Sequence, residues 1–359
     1  MDIAIIGLPQ SGKTATFNAL TSGHATTEGG SAGPVQVGVV KVVDQRLSVL
    51  GEMYHPRKVV YAEIKFWDLP PAPADRGNRA QVLSGRHRNI LQGADSLLLV
   101  VRAFEDDLQG AASPARDLAE MLNELALADL ETLERAETRF ADALRKTRPA
   151  ERPAVQSQAD AVRKVKDSLE SGIRMRRQEL SPSERSAMTG YQLLTDKPIV
   201  VAFNTGESSE APALSELGLP AAMTEGLGEV QLCARLEEDL ALMSGDEAEE
   251  FRDAFGLSEA AIELVKQVCY DTVGLVSFLT VGEDEVRAWP VPEGIPALDA
   301  AGAIHTDFTR GFIRAEVIHF DDLVRCGSVA QGRKEGVLRS EGKTYPVKDG
   351  DVINFLVNV

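Results

Sequence analysis

The apolar positions along the chain follow three spacings, and each predicts a different element. Unbroken runs at Ile3-Ala4-Ile5-Ile6, Ala94 to Val101 and Ile199 to Phe203 have the length of strands buried on both faces. Alternation through Val37, Val39 and Val43, and through Val60, Ala62, Ile64 and Phe66 against Tyr61, Glu63 and Lys65, predicts two more strands. Helical spacing governs Leu118, Leu122, Leu125, Leu130, Leu133, Phe140 and Leu144, a run opened by Ser113-Pro114 and broken by Pro149 and Pro153. A weaker helical run carries Val155, Val162, Val165 and Leu169, and a third helix opens at the capping box Ser181-Pro182-Ser183-Glu184. Residues 116–194 therefore read as a helical hairpin arm inserted into an α/β domain. Residues 23–33 read as a loop, about 220–224 as a short strand and 258–270 as a helix. The last part is β-rich, with strands expected at 286–290, 312–318, 344–347 and 352–357 and a hairpin turn at Lys348-Asp349-Gly350.

Composition narrows the class. With 359 residues and 43% hydrophobic content, the chain can supply packed cores for two or three domains. The net charge of -17 opposes non-specific attraction to nucleic acid, so no DNA specificity is expected and any RNA contact needs a local basic patch. The cluster Arg163, Lys164, Lys166, Arg174, Arg176 and Arg177 reads either as such a patch or as a solvated helix face. Cys233, Cys269 and Cys326 are odd in number and widely spaced, which argues against a disulfide framework or a zinc site. The longest apolar run, Leu97 to Val101, is far too short to span a bilayer, and no secretory leader is visible; a cytoplasmic protein without membrane partners is the expectation.

The chemistry concentrates in Gly7-Leu8-Pro9-Gln10-Ser11-Gly12-Lys13-Thr14, which satisfies the phosphate-loop pattern between a buried strand and a helix. Gly7 and Gly12 let the backbone N–H groups of the loop, through Pro9, Gln10, Ser11 and on to Ala15, wrap a phosphate at a helix N-terminus. Lys13 is placed to reach the β- and γ-phosphates and the Thr14 hydroxyl to ligate Mg²⁺. Asp68, at the end of the next predicted strand, is in position to hold the metal; on local grounds it reads equally as a turn-initiating Asp before Pro70 and Pro71. Asn204 and Glu207 follow the strand at 199–203, where nucleotide-binding relatives recognise the base. Glu207 is one methylene longer than the Asp that reads guanine there, which relaxes or reverses base preference toward ATP, with GTP as the alternative. Cys233 and Ala234 read as completing the base pocket or as a small core pair.

Along almost its whole length the sequence resembles the YchF-type ATPases of the Obg group of translation-associated P-loop NTPases. The likeness is densest in Glu285 to Trp289, Ile304 to Phe308, Arg310 to Ile318, Glu341-Gly342-Lys343 and Asp349-Gly350-Asp351, which read like that family's TGS module, a β-grasp domain. Asn123 to Leu130 resembles the start of its arm and Asn204-x-x-Glu207 its base motif. The resemblance implies an Obg-type P-loop NTPase domain in two parts (1–115 and 195–275), the arm at 116–194 and a TGS-like domain at 276–359. It also implies ATP preferred over GTP, slow Mg²⁺-dependent hydrolysis with Lys13 and Asp68 in catalytic roles, and association with the ribosome or ribosomal RNA. Three departures bear on hydrolysis. The family's D-x-x-G stands here as Asp68-Leu69-Pro70-Pro71, which replaces a γ-phosphate N–H donor by a proline. Such a loss costs about 3 kcal/mol, or about a hundredfold in rate. The family's first switch is not recognisable between Gly23 and Pro34, where Thr26, Thr27 and Ser31 are the substitutes on offer, and no histidine follows Phe104-Glu105-Asp106-Asp107.

Overall fold

The computed structural model describes residues 1–22, 26–28, 35–69, 86–106, 110–207, 210–243, 245–255 and 261–358. Pro70, Pro71, Ser31 and Asp107 lie outside the described residues. The strands are β1 (Asp2–Ile6), β2 (Thr26–Glu28), β3 (Val35–Val42), β4 (Lys58–Val60), β5 (Ala62–Asp68), β6 (Ser96–Ala103), β7 (Ile199–Thr205), β8 (Gly228–Leu232), β9 (Leu275–Thr280), β10 (Glu285–Pro292), β11 (Phe312–His319), β12 (Arg339–Glu341) and β13 (Asp351–Val357). The α-helices are α1 (Lys13–Thr21), α2 (Gln45–Tyr54), α3 (Arg86–Gly93), α4 (Pro114–Lys146), α5 (Arg152–Glu170), α6 (Pro182–Met188), α7 (Ala221–Thr224), α8 (Ala234–Ala241), α9 (Gly245–Phe255), α10 (Ala261–Val273), α11 (Ala297–Ile304), α12 (Thr306–Gly311), α13 (Phe320–Cys326) and α14 (Val329–Lys334). Contacts divide the chain into two units, Met1–Val40 with Lys65–Cys269 and Lys41–Ile64 with Tyr270–Val359.

In the first unit a seven-stranded sheet runs in the order β2-β3-β5-β1-β6-β7-β8. β5, β1, β6, β7 and β8 are parallel, so Asp68, the phosphate loop after Ile6, Phe104, Asn204 and Cys233 all reach the same sheet edge. Parallel strands are buried on both faces, which is why β1, β6 and β7 carry unbroken apolar runs. α4 is 33 residues long and its stripe serves two partners. Leu118, Met121, Leu122 and Leu125 pack against Leu97, Leu99, Val101, Val201 and Phe203 of the sheet. About two turns further on, Leu133 and Ala136 pack against Val162, Val165 and Leu169 of α5 and Met188 of α6. The Ser181 capping box is formed. Of the basic cluster, Arg163 and Lys166 pair with Glu137 and Lys164 pairs with Glu184, while Arg174 is buried.

In the second unit a six-stranded sheet runs β12-β11-β13-β9-β10-β4. Phe278, Val291, Val317, Ile353 and Phe355 cover one face together with Ala297, Ala300 and Ala301 of α11. Leu279, Val286, Ile318 and Val352 cover the other with Leu47 and Leu50 of α2 and Leu323 of α13. Arg46 of α2 bonds Asp349 at 2.6 Å, and Asp349 accepts the Ser277 N–H at 2.9 Å.

Several elements differ from the sequence expectation. The strand expected at about 220–224 is the single-turn α7, because Pro220 presets the chain and the Glu225 N–H closes onto the Ala221 carbonyl at 2.8 Å. The strand comes later, at β8. Residues 344–347 form no ladder: Pro296 and Pro346 face each other as an isolated bridge and cannot donate, so the two segments are joined by scattered bonds from the Ala297, Leu298 and Val347 N–H groups. Lys348-Asp349-Gly350 is thus a turn entering β13 rather than a hairpin. β2 lies inside the expected 23–33 loop, and α2, β4, β9 and β12 are additional.

Asp129 of α4 is 3% exposed and accepts the Leu194 N–H (2.9 Å), the Thr195 N–H (2.8 Å) and the Thr195 hydroxyl (2.7 Å), which clamps the returning chain to the arm at the entry to β7. Asp129→Ala strands buried donors and is expected to cost about 2–4 kcal/mol of stability. The urea unfolding midpoint checks this, and a midpoint equal to the wild type contradicts the clamp.

Candidate functional site

The loop between β1 and α1 is held by contacts that tolerate no side chain at two positions. A Cβ on Gly7 would lie 2.4 Å from the Val100 carbonyl oxygen, and one on Gly12, where φ is 93°, would lie 2.0 Å from Asn204 Nδ2. Gln10 takes the left-handed conformation without being glycine, at φ 63°. Pro9 and Gln10 are exposed, whereas Gly7 and Ser11 are buried. Lys13, on the first turn of α1, donates from Nζ to the carbonyls of Gly7 (2.9 Å) and Leu8 (2.8 Å). An ammonium has three donors, so two fix its direction and one is left for a ligand.

Across the loop, Thr14 Oγ1 donates to Asp68 Oδ2 at 2.9 Å. Among the described residues the other carboxylate oxygen, Oδ1, is buried without a partner. Burial pushes the Asp68 carboxyl above its ordinary value, opposed by the Thr14 bond and by Lys13; burial likewise lowers the Lys13 ammonium, opposed by Asp68. A hydroxyl and a buried carboxylate oxygen with no partner form a hard, all-oxygen donor pair beside a phosphate loop, which fits Mg²⁺ completed by phosphate and water oxygens.

Asn204 is 5% exposed and both ends of its amide are engaged. Nδ2 donates to the Ser11 carbonyl at 3.0 Å and Oδ1 accepts the Ala234 N–H at 3.0 Å. It ties the phosphate loop to the start of α8 and has little freedom to read a ligand directly. Thr205 Oγ1 donates to the Leu232 carbonyl at 3.3 Å. Beside these clamps opens a cavity of about 640 Å³, walled by Gly12, Ala15, Asn204 and Thr205 on one side. Gly206, Glu207, Cys233 and Arg235 form a second side and Phe104, Glu105 and Asp106 a third. The volume is that of a small-molecule site.

The structure brings Gly12, Ala15, Asn204, Glu207 and Cys233 together on this cavity, with Lys13, Thr14 and Asp68 grouped on the phosphate loop and Ala234 buried behind. Arg235 and the 104–106 wall are additional. Their signal was positional, because Phe104 directly follows the parallel strand next to β1, at the edge where open parallel sheets bind ligands.

Comparison with known proteins places this site in a family context. The family model YchF-GTPase_C, described as a protein of unknown function (DUF933), matches residues 275–358. The ribosome-binding ATPase YchF of Bacillus subtilis is 33% identical over 366 residues, covering 99% of this chain and 98% of that protein. Its namesake from Escherichia coli O157:H7 is 35% identical over 364 residues with the same coverage. Among solved structures, the Schizosaccharomyces pombe YchF GTPase matches with a TM-score of 0.83 and 27% identity over 99% of this chain and 97% of that one. A GTP-binding protein from Pyrococcus horikoshii shares the fold at a TM-score of 0.61 and 18% identity over the whole of both chains.

Asn204→Ala removes both clamps without adding bulk and is expected to weaken nucleotide affinity by about tenfold or more while leaving the fold intact. Titration with a fluorescent nucleotide alongside circular dichroism checks this. Wild-type affinity in a folded variant contradicts the positioning role.

Proposed function

This chain belongs to the YchF family of P-loop NTPases, and from that premise we propose that it is an Mg²⁺-dependent ATP-binding protein with slow hydrolysis that acts in association with the ribosome. The observation that carries the reading is the meeting of phosphate loop, Thr14–Asp68 pair and a cavity of small-molecule size at one edge of the parallel sheet. Its relatives' names supply the ribosome, and they differ on the nucleotide, ATPase in the bacterial proteins and GTPase in the yeast one.

Each residue has a job that its surroundings support. Lys13, aimed by the Gly7 and Leu8 carbonyls, offers its remaining donor to the β- and γ-phosphates at the N-terminus of α1, where helix amides favour an anion. Thr14 and Asp68 would hold Mg²⁺, which neutralises phosphate charge when bound. Asn204 fixes the loop against the base cavity, and Glu207, exposed at its rim, is the carboxylate placed to accept from a base amino group. A TGS-like role for 276–359 and an arm at 116–194 belong to the same proposal. So does a cytoplasmic location, and among the described residues no helix is long and apolar enough to cross a membrane.

A second reading, a hydrolysis-deficient nucleotide-binding protein that acts on the ribosome or RNA, is favoured by the sequence Asp68-Leu69-Pro70-Pro71, whose Pro71 has no N–H to give a γ-phosphate. Steady-state phosphate release separates the two. Turnover in the wild type that Lys13→Ala lowers by about a hundredfold supports the enzyme, and identical release from both proteins removes it. Ribosome cosedimentation with ATP, with ADP and without nucleotide tests the partner; no ribosome-bound protein in any state contradicts it.

On base choice, ATP is expected to bind more tightly than GTP, and Glu207→Asp is expected to move the ratio toward GTP by about threefold or more. Competition titrations check this; a wild-type preference for GTP of about tenfold contradicts the assignment of Glu207.

A further inference from the structure

One wall of the base cavity is held in an unusual way. Phe104 and Glu105 line both the 640 Å³ cavity and a second one of about 600 Å³, which they share with Ala111 and Ala112, while Asp106 lines the first. A chain segment with open space on both sides relies on hydrogen bonds to hold its place. What reaches it from the core is Arg102. This residue sits near the end of β6, opposite Asn204 in the strand register, and is 5% exposed.

Its guanidinium donates from Nη1 to the carbonyls of Phe104 (3.4 Å) and Gly110 (3.0 Å), and from Nη2 to the carbonyl of Ala111 (3.3 Å). It also lies 5.9 Å from the centre of the Phe104 ring. The same two limbs are joined by the Gly110 N–H donating to the Asp106 carbonyl at 2.6 Å and the Asp106 N–H to the Gly110 carbonyl at 3.4 Å. The planar guanidinium spreads its donors over separate nitrogens and so spans carbonyls on both limbs in a fixed geometry, whereas an ammonium groups its three donors on one atom. Burial strengthens these bonds because water does not compete for them.

We propose that Arg102 is a positioning residue that sets nucleotide affinity and base preference by fixing the Phe104–Asp106 wall. The inference rests on reading this cavity as the base site. Arg102 belongs to the wall on the base side and takes no part in the Lys13, Thr14 and Asp68 group. Its loss is therefore felt in binding and base selection rather than in turnover.

The test uses fluorescent ATP and GTP titrations and steady-state phosphate release on the wild type, Arg102→Lys, Arg102→Met and Lys13→Ala. Both Arg102 variants are expected to raise Kd and KM by about tenfold, to bring the ATP and GTP affinities closer together, and to keep kcat within about twofold. A residue needed only for stability would instead lower the active fraction, hence kcat, at unchanged KM, and that pattern overturns the proposal. Wild-type affinity and base ratio in the Arg102 variants, with binding weakened in Lys13→Ala, overturn it while leaving the site reading standing. Wild-type binding in Lys13→Ala instead removes the reading beneath it. If the Arg102 variants do not fold, amide hydrogen exchange on the wild type decides: saturating ATP is expected to slow exchange at Phe104 to Asp106 and at Gly110, and unchanged exchange there overturns the proposal.

Discussion

The Asn204 carboxamide is the contact on which the candidate site depends. Its Nδ2 bonds the Ser11 carbonyl and its Oδ1 the Ala234 amide, so one buried side chain sets the spacing between the phosphate loop and α8. The approach is close enough that a Cβ on Gly12 would sit 2.0 Å from Nδ2. The glycine of the motif therefore answers a steric demand from a residue 192 positions away as well as a conformational one. Sheet topology makes this contact available, because β1, β6, β7 and β8 run parallel and finish at one edge.

The net charge is -17, yet the phosphate loop itself presents Lys13 and a helix N-terminus. Lys13 and Asp68 are each disfavoured as ions by burial, and each supports the other's charge. Among the described residues Asp68 Oδ1 is buried without a partner, the kind of cost that a bound cation repays.

Much of this was legible in the sequence because the signals were local. The phosphate loop, the apolar runs of β1, β6 and β7, the long stripe of α4 and the Ser181 capping box each depend on residues within a few positions of one another. The misses have non-local causes. α2 is the exception, because its signal is local: Asp44 caps it, and Leu47, Leu50 and Tyr54 fall at helical spacing against Leu279, Ile318 and Val352. Ala221 to Thr224 could be read as strand or helix until Pro220 and the Glu225 turn decided it. Residues 344–347 have strand-like composition, but facing prolines deny them a ladder. In the site, Asn204 reads from sequence as a base-contacting residue; the structure puts it on the cavity and adds a bracing role through its hydrogen bonds, and the place of Phe104-Glu105-Asp106 as a cavity wall needed the strand order.

The central claim is that phosphate loop, metal pair and base cavity form one nucleotide site. A crystal structure of the protein with Mg²⁺ and a non-hydrolysable ATP analogue tests it most directly. The account predicts the phosphates against the Gly7–Thr14 loop beside Lys13, the cation on Thr14 and Asp68, and the adenine in the cavity between the Phe104–Asp106 wall and Glu207. An adenine seated outside that cavity, or phosphates away from Lys13, would contradict it.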